Sequence, residues 1–149
     1  MSGNTELIEH LIELAALSDK HGYAWHADFI RETIRAFATA PSDGWAHLAS
    51  AEFWGGAGSI CDVSFNASEV EWHRGNGRAV SSDLLALDPS DFRADNDRYM
   101  QLLSKISKAI PDEYARSETL GRWVLRAQSI AGIYDTWLAN PTDRKIMRL

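Results

Sequence analysis

The chain has 149 residues, 45% hydrophobic and 24% charged, which fits one ordinary globular domain over 1–149 and excludes a disordered chain. A single cysteine, Cys61, excludes an intrachain disulfide and a cysteine-rich zinc site and suits a reducing cytoplasm; charges break every apolar run short of the ~18 residues a membrane span needs, and no basic-then-apolar leader is expected. The net charge of −6 is uneven, with sixteen acids against seven Lys/Arg in residues 1–100 (−9) and five against eight in residues 101–149 (+3), so the larger part repels nucleic acid and attracts a basic partner.

The first helix is expected to start at Asn4 or Thr5 as cap, to bury Leu7, Ile8, Leu11, Ile12 and Ala15, and to stop at Gly22. Its other face carries Glu6, Glu9 and Glu13 as an acidic stripe. Surface helices ordinarily have such a solvated face; the functional alternative is a docking stripe for a basic protein. A second helix runs from about Tyr23 to Thr39 with Trp25, Phe29, Ile30, Ile34, Phe37 and Ala38 inward, and Pro41-Ser42-Asp43-Gly44 ends it. His21 and His26 lie five apart, off a common face, and read as exposed or capping residues and not as metal ligands. A third helix, about Asp43 to Phe53, carries Trp45, Leu48, Ala49 and Phe53 at helical spacing.

That helix runs into Trp54-Gly55-Gly56-Ala57-Gly58-Ser59-Ile60-Cys61-Asp62-Val63. Three glycines in four positions permit a tight reversal or a close approach to the main chain. One reading is a helix-to-strand connection. The other is a ligand site made of Gly55, Gly56, Gly58, Ser59 and Asp62, in which successive backbone N–H groups form an anion-binding concavity and the hydroxyl and carboxylate supply polar groups. No Gly-Lys-Ser/Thr and no Gly-x-Ser-x-Gly occur, so neither a P-loop nor a nucleophile elbow is present.

Residues 60–65 alternate apolar and polar, Asn66-Ala67-Ser68 reads as a turn, and Val70 and Trp72 resume the period of two. This predicts a short β-hairpin, residues 60–65 and 69–73, packed on the helices, with Arg74-Gly75-Asn76-Gly77-Arg78 as a loop. An aromatic residue followed by Gly-Gly-x-Gly-Ser-x-x-Asp-Val, placed after a helix pair and before a helix with Asn96-Asp97 near its start, resembles a family of small bacterial domains of unknown function. The resemblance spans roughly residues 23–110, departs at Ala57 and Cys61, and implies a layout but no catalytic residue.

Residues 80–95 read as a Ser/Asp-rich connection, and Asp88, Asp91, Asp95 and Asp97 lack the spacing and glycine of a calcium loop, so they are expected to cap a helix. That helix has Tyr99, Leu103, Ile106 and Ile110 as its stripe and ends at Pro111. The last helix, about Ser117 to Ala139 with Pro141 beyond, is apolar along Leu120, Trp123, Val124, Ala127, Ala131, Tyr134 and Leu138, and again along Ile130, Ile133 and Trp137. Two apolar strips place it centrally or against a second copy, which admits a homodimer. The basic end, Arg144 to Leu149, is too short to indicate nucleic acid.

The expected architecture is thus mainly α, about five helices with one β-hairpin inserted after the glycine-rich turn, and helices 1, 2 and the last as the core. The function expected is a protein-binding module of antitoxin or immunity type acting on a basic partner. The alternative is a small-ligand-binding or metal-dependent hydrolytic site at the glycine turn, with His47, Asp62 and His73 converging if the hairpin folds back. No catalytic residue, metal site or cofactor is assigned, and binding is favoured over catalysis.

Overall fold

The computed structural model describes residues 2–77 and 79–140. Its regular elements there are helices: α1 (Ser2–Lys20), α2 (Ala24–Thr39), α3 (Pro41–Leu48), α4 (Ala51–Trp54), α5 (Ala67–Gly75), α6 (Ser82–Leu85), α7 (Pro89–Ala109) and α8 (Gly121–Ala139), with single 3-10 turns at Ile60–Asp62 and Asp112–Arg116. Arg78 of the expected loop, Pro141 and the basic end at 144–149 lie outside the described residues.

The helices pack in the spatial order α3–α2–α1–α7–α8. α1 buries Leu7, Leu11, Leu14, Ala15 and Ser18, the i, i+4, i+7, i+8 and i+11 positions of one helical face. Ser18 is satisfied there by donating to the Leu14 carbonyl at 3.0 Å. α1 begins at Ser2, so Asn4 and Thr5 lie inside the helix and do not cap it.

The centre of the molecule is α7, which packs on α1 and on α8 and has Leu102, Leu103 and Ile106 fully buried. It starts well before the expected position. Asp88 accepts from the Ser90 and Asp91 N–H groups at 2.9 and 3.0 Å, and Asp91 accepts from the Asp88 N–H at 3.0 Å. This reciprocal cap, with Pro89 in the first turn, nucleates the helix inside the stretch expected to be a connection. Asp88 and Asp91 therefore do cap, while Asp95 and Asp97 lie within the helix, beyond its first turn. The expected third helix is divided, α3 ending at Leu48 and α4 starting at Ala51, and α8 begins at Gly121, not near Ser117.

The predicted β-hairpin is absent: among the described residues there is no strand, and residues 69–73 belong to α5. Asn66 caps α5 by accepting from the Glu69 N–H at 2.8 Å, and Val70 is buried while Trp72 is 57% exposed, so the two do not share a face. Residues 60–65 find no partner strand because side chains take their backbone groups. Tyr99 donates to the Ile60 carbonyl at 2.8 Å, Tyr134 to the Cys61 carbonyl at 2.6 Å and Tyr23 to the Ser64 carbonyl at 3.1 Å. Asn96 accepts from the Phe65 N–H at 2.8 Å and donates to the Phe65 carbonyl. Four side chains thus do for this segment what a sheet ladder would have done.

Candidate functional site

The glycine stretch is a compact reversal in which residues 55–62 bond to one another. Gly55 N–H donates to the Ala51 carbonyl at 2.7 Å and closes α4. Ser59 is buried and its hydroxyl donates to the Gly55 carbonyl at 2.9 Å. The Gly58 N–H donates to the Asp62 carboxylate at 3.1 Å, and the Ser59 N–H to the Gly56 carbonyl at 3.1 Å. Two of the N–H groups proposed to line an anion concavity are therefore engaged within the turn. His26, from α2, bonds the Gly58 carbonyl at 3.0 Å; burial holds this imidazole below its ordinary pKa, against the pull of that carbonyl and of Asp62.

The glycines differ in what they supply. A Cβ at Gly55 would sit 2.4 Å from the Ala51 carbonyl oxygen, and Gly58 has φ +85°, a left-handed conformation that side chains disfavour. At Gly56 a Cβ meets nothing within 4 Å.

Beside the turn runs a groove of about 290 Å³ whose lining includes Gly56, Cys61, Asp62, Arg126, Ile130 and Trp137. Of the second apolar strip expected on α8, Ile130 and Trp137 are half-buried against the core, whereas Ile133 is 39% exposed at the groove. Arg126 donates to the Trp54 carbonyl, fixing α8 to the end of α4. Cys61 is half-buried, 3.4 Å from the Ser59 hydroxyl, and burial pushes its thiol pKa up, opposite to what a nucleophilic cysteine needs.

The other residues singled out from the sequence lie apart. Trp54 is fully buried and donates its indole N–H to the Leu48 carbonyl at 2.8 Å. His47 lies tilted against Phe29, with ring centroids 5.5 Å apart, and lines a groove between α2 and α3, whereas His73 lines a small cavity with His21, Tyr23 and Glu69. Among the described residues no three His, Cys, Asp or Glu side chains are placed to hold a metal ion. His21, expected at the surface or in a cap, is buried. Its ring stacks on Phe65 at 3.9 Å and bonds Asp95 at 2.7 Å, with Lys20 on the same carboxylate at 2.8 Å.

On α1, Glu6 and Glu9 are exposed, whereas Glu13 is tied by its carboxylate to Arg98 of α7 at 2.7 Å, which holds its pKa below the ordinary range. Glu6 has His10 4.0 Å away, and Glu9 has no ion-pair partner among the described residues. Ile12, expected inward, is 54% exposed and lies on the same outer face, between Glu9 and Glu13 in sequence. The signal for it was available: Leu14 completes the buried i, i+4, i+7 set from Leu7 and displaces Ile12 outward. Trp25, also expected inward, is 53% exposed and stacks on Phe29.

Comparison with protein-family models, with curated proteins and with solved structures finds no match.

Proposed function

We propose that this protein is a binding module whose working surface is the outer face of α1, and that it takes a partner bearing basic side chains around an apolar contact. The observation that carries the reading is Ile12, more than half exposed, on the face that carries Glu6, Glu9 and Glu13. An exposed apolar side chain beside exposed acids, here Glu9 one turn away, is a combination found at protein interfaces. The excess of acids over residues 1–100 supports it by drawing a basic partner toward this part of the chain. The arrangement suits an inhibitor or immunity protein, which covers a basic surface without performing chemistry on it.

The groove at the glycine turn favours a second reading, a small-ligand site. An apolar wall of Ile130 and Trp137 faces Asp62 and Arg126 there, and about 290 Å³ lies near the lower end of ligand pockets.

The test is native mass measurement of the protein purified from its source cells at low and at high salt. A heavier species containing a basic protein, lost at high salt and lost in the Glu6→Lys/Glu9→Lys variant, is expected. A bare chain carrying a small-molecule adduct, removed by Asp62→Ala and untouched by the α1 variant, would replace this reading with the second one.

A further inference from the structure

We propose that the groove between the glycine turn and α8 takes a free α-amino acid with a large apolar side chain. Arg126 receives its carboxylate, Asp62 its ammonium group, and Ile130, Ile133 and Trp137 its side chain. The assignment rests on the groove being a small-ligand site and names the class of ligand.

Two charges of opposite sign carry it. Arg126 and Asp62 both line the groove. Around the Cys61 thiol, whose pKa burial raises, the guanidinium pulls down and the carboxylate pushes up, so the two charges border the same place. Yet neither makes an ion pair with the other or with any other of the described residues. Each is held by the main chain instead: Arg126 donates from Nε to the Trp54 carbonyl, and Asp62 accepts from the Gly58 N–H at 3.1 Å. The Nη groups of Arg126 and the second oxygen of Asp62 are left over.

This pair selects among ligands by sign. A simple anion bound to Arg126 is repelled by Asp62, and a simple cation bound to Asp62 is repelled by Arg126. A molecule that carries an ammonium and a carboxylate on one carbon is attracted at both ends.

The carboxylate end has further donors. Gly58 and Ser59 spend their N–H groups within the turn, but those of Gly56 and Ala57 donate to no described group, and both residues line the groove and are exposed. Successive N–H groups beside a guanidinium make a seat for a carboxylate.

The α8 wall supplies the apolar part. Ile130, Ile133 and Trp137 lie three and seven positions apart, on one helical face, and Ile133 is 39% exposed there. A volume of about 290 Å³ is near the lower end of ligand pockets and suits a single amino acid better than a peptide or a nucleotide.

Isothermal titration of the unaltered chain with L-phenylalanine, L-tryptophan and L-leucine tests the proposal, alongside 3-phenylpropionate, which lacks the ammonium group, and 2-phenylethylamine, which lacks the carboxylate. At least one amino acid is expected to bind, and both truncated probes to bind at least about tenfold more weakly than L-phenylalanine, as loss of a charge-assisted contact requires. Arg126→Gln should weaken amino-acid binding and leave 2-phenylethylamine unchanged, whereas Asp62→Asn should weaken it and leave 3-phenylpropionate no weaker, both with unchanged helical circular dichroism. The probe series on the unaltered chain decides the matter even if Arg126→Gln, which also loses the bond to Trp54, fails to fold. Binding of 3-phenylpropionate as tight as that of L-phenylalanine would overturn the assignment and keep the groove as a ligand site. So would no amino-acid binding together with a small-molecule adduct, seen in the native mass and lost in Asp62→Ala. No amino-acid binding and no adduct would end both the assignment and the ligand reading.

Discussion

The glycine turn and the outer face of α1 are both rich in polar groups, and they use them in opposite ways. In the turn, Ser59, Asp62, Gly55 and Gly58 bond to one another, and the segment that follows is held by Tyr23, Asn96, Tyr99 and Tyr134. On α1, Glu6 and Glu9 stand in solvent and an isoleucine beside them stays uncovered. A conspicuous motif whose groups are already satisfied supports the fold. A plain helix face whose Glu6 and Glu9 side chains stand in solvent stays accessible from outside. The contrast places structural work at residues 55–65 and leaves the outer face of α1 exposed.

The largest effect should come from Asn96→Ala, which removes both bonds to the Phe65 backbone. It should cost about 2–3 kcal/mol in urea unfolding, since a partly buried N–H and carbonyl lose their partner together. A cost near zero would mean the 60–65 segment is held by something other than these side chains.

The three glycines sharpen the contrast within the turn itself. Gly55→Ala drives a methyl against the Ala51 carbonyl and should cost about 1–3 kcal/mol. Gly58→Ala forces alanine into a left-handed conformation and should cost about 1–2 kcal/mol. Gly56→Ala should be neutral or gain up to about 1 kcal/mol, because the methyl enters open space and the unfolded chain loses freedom. Equal costs at all three would break the account of the turn as a structural reversal.

Acid should loosen the end of α1 near the turn. Burial holds the pKa of His21 below the ordinary histidine value, against its bond to Asp95. The unfolded chain therefore binds a proton more readily than the folded one, so the stability this residue contributes is complete above about pH 6.5 and is lost as pH falls toward the folded value. Asp95, held below the usual carboxylate range by Lys20 and His21 despite its burial, keeps its charge over that interval. Unfolding between pH 7 and pH 5 should show this loss, and His21→Gln should flatten it.

The sequence made the helical class legible, since α1, α2 and α8 follow their apolar spacing to within a few residues at their ends. It misled at residues 60–73, where alternation over a few positions imitates a strand. The competing signal there was Asn66 three residues before Glu69, a helix start. The bonds that hold this segment run between residues far apart in the chain, Tyr99 to Ile60 and Tyr134 to Cys61, and no local pattern reveals them. The same holds for the acidic stripe: Glu6, Glu9 and Glu13 share a spacing, but only the fold pairs Glu13 with Arg98 and leaves the other two exposed. Trp54 was conspicuous in sequence and is core; Ile12 was inconspicuous and is surface.

The smallest effect on stability should come from Glu6→Gln with Glu9→Gln, within about 0.5 kcal/mol because both side chains are exposed, and the largest effect on binding should come from the same pair.

The most direct measurement is zero-length carbodiimide cross-linking in source-cell extract, read by mass spectrometry at the level of single carboxylates. Lysine cross-links from Glu6 and Glu9 to a basic protein, suppressed by salt and absent in the double glutamine variant, are the expected result. Cross-links concentrated at Asp62 beside the glycine turn, with α1 unmodified, would contradict it.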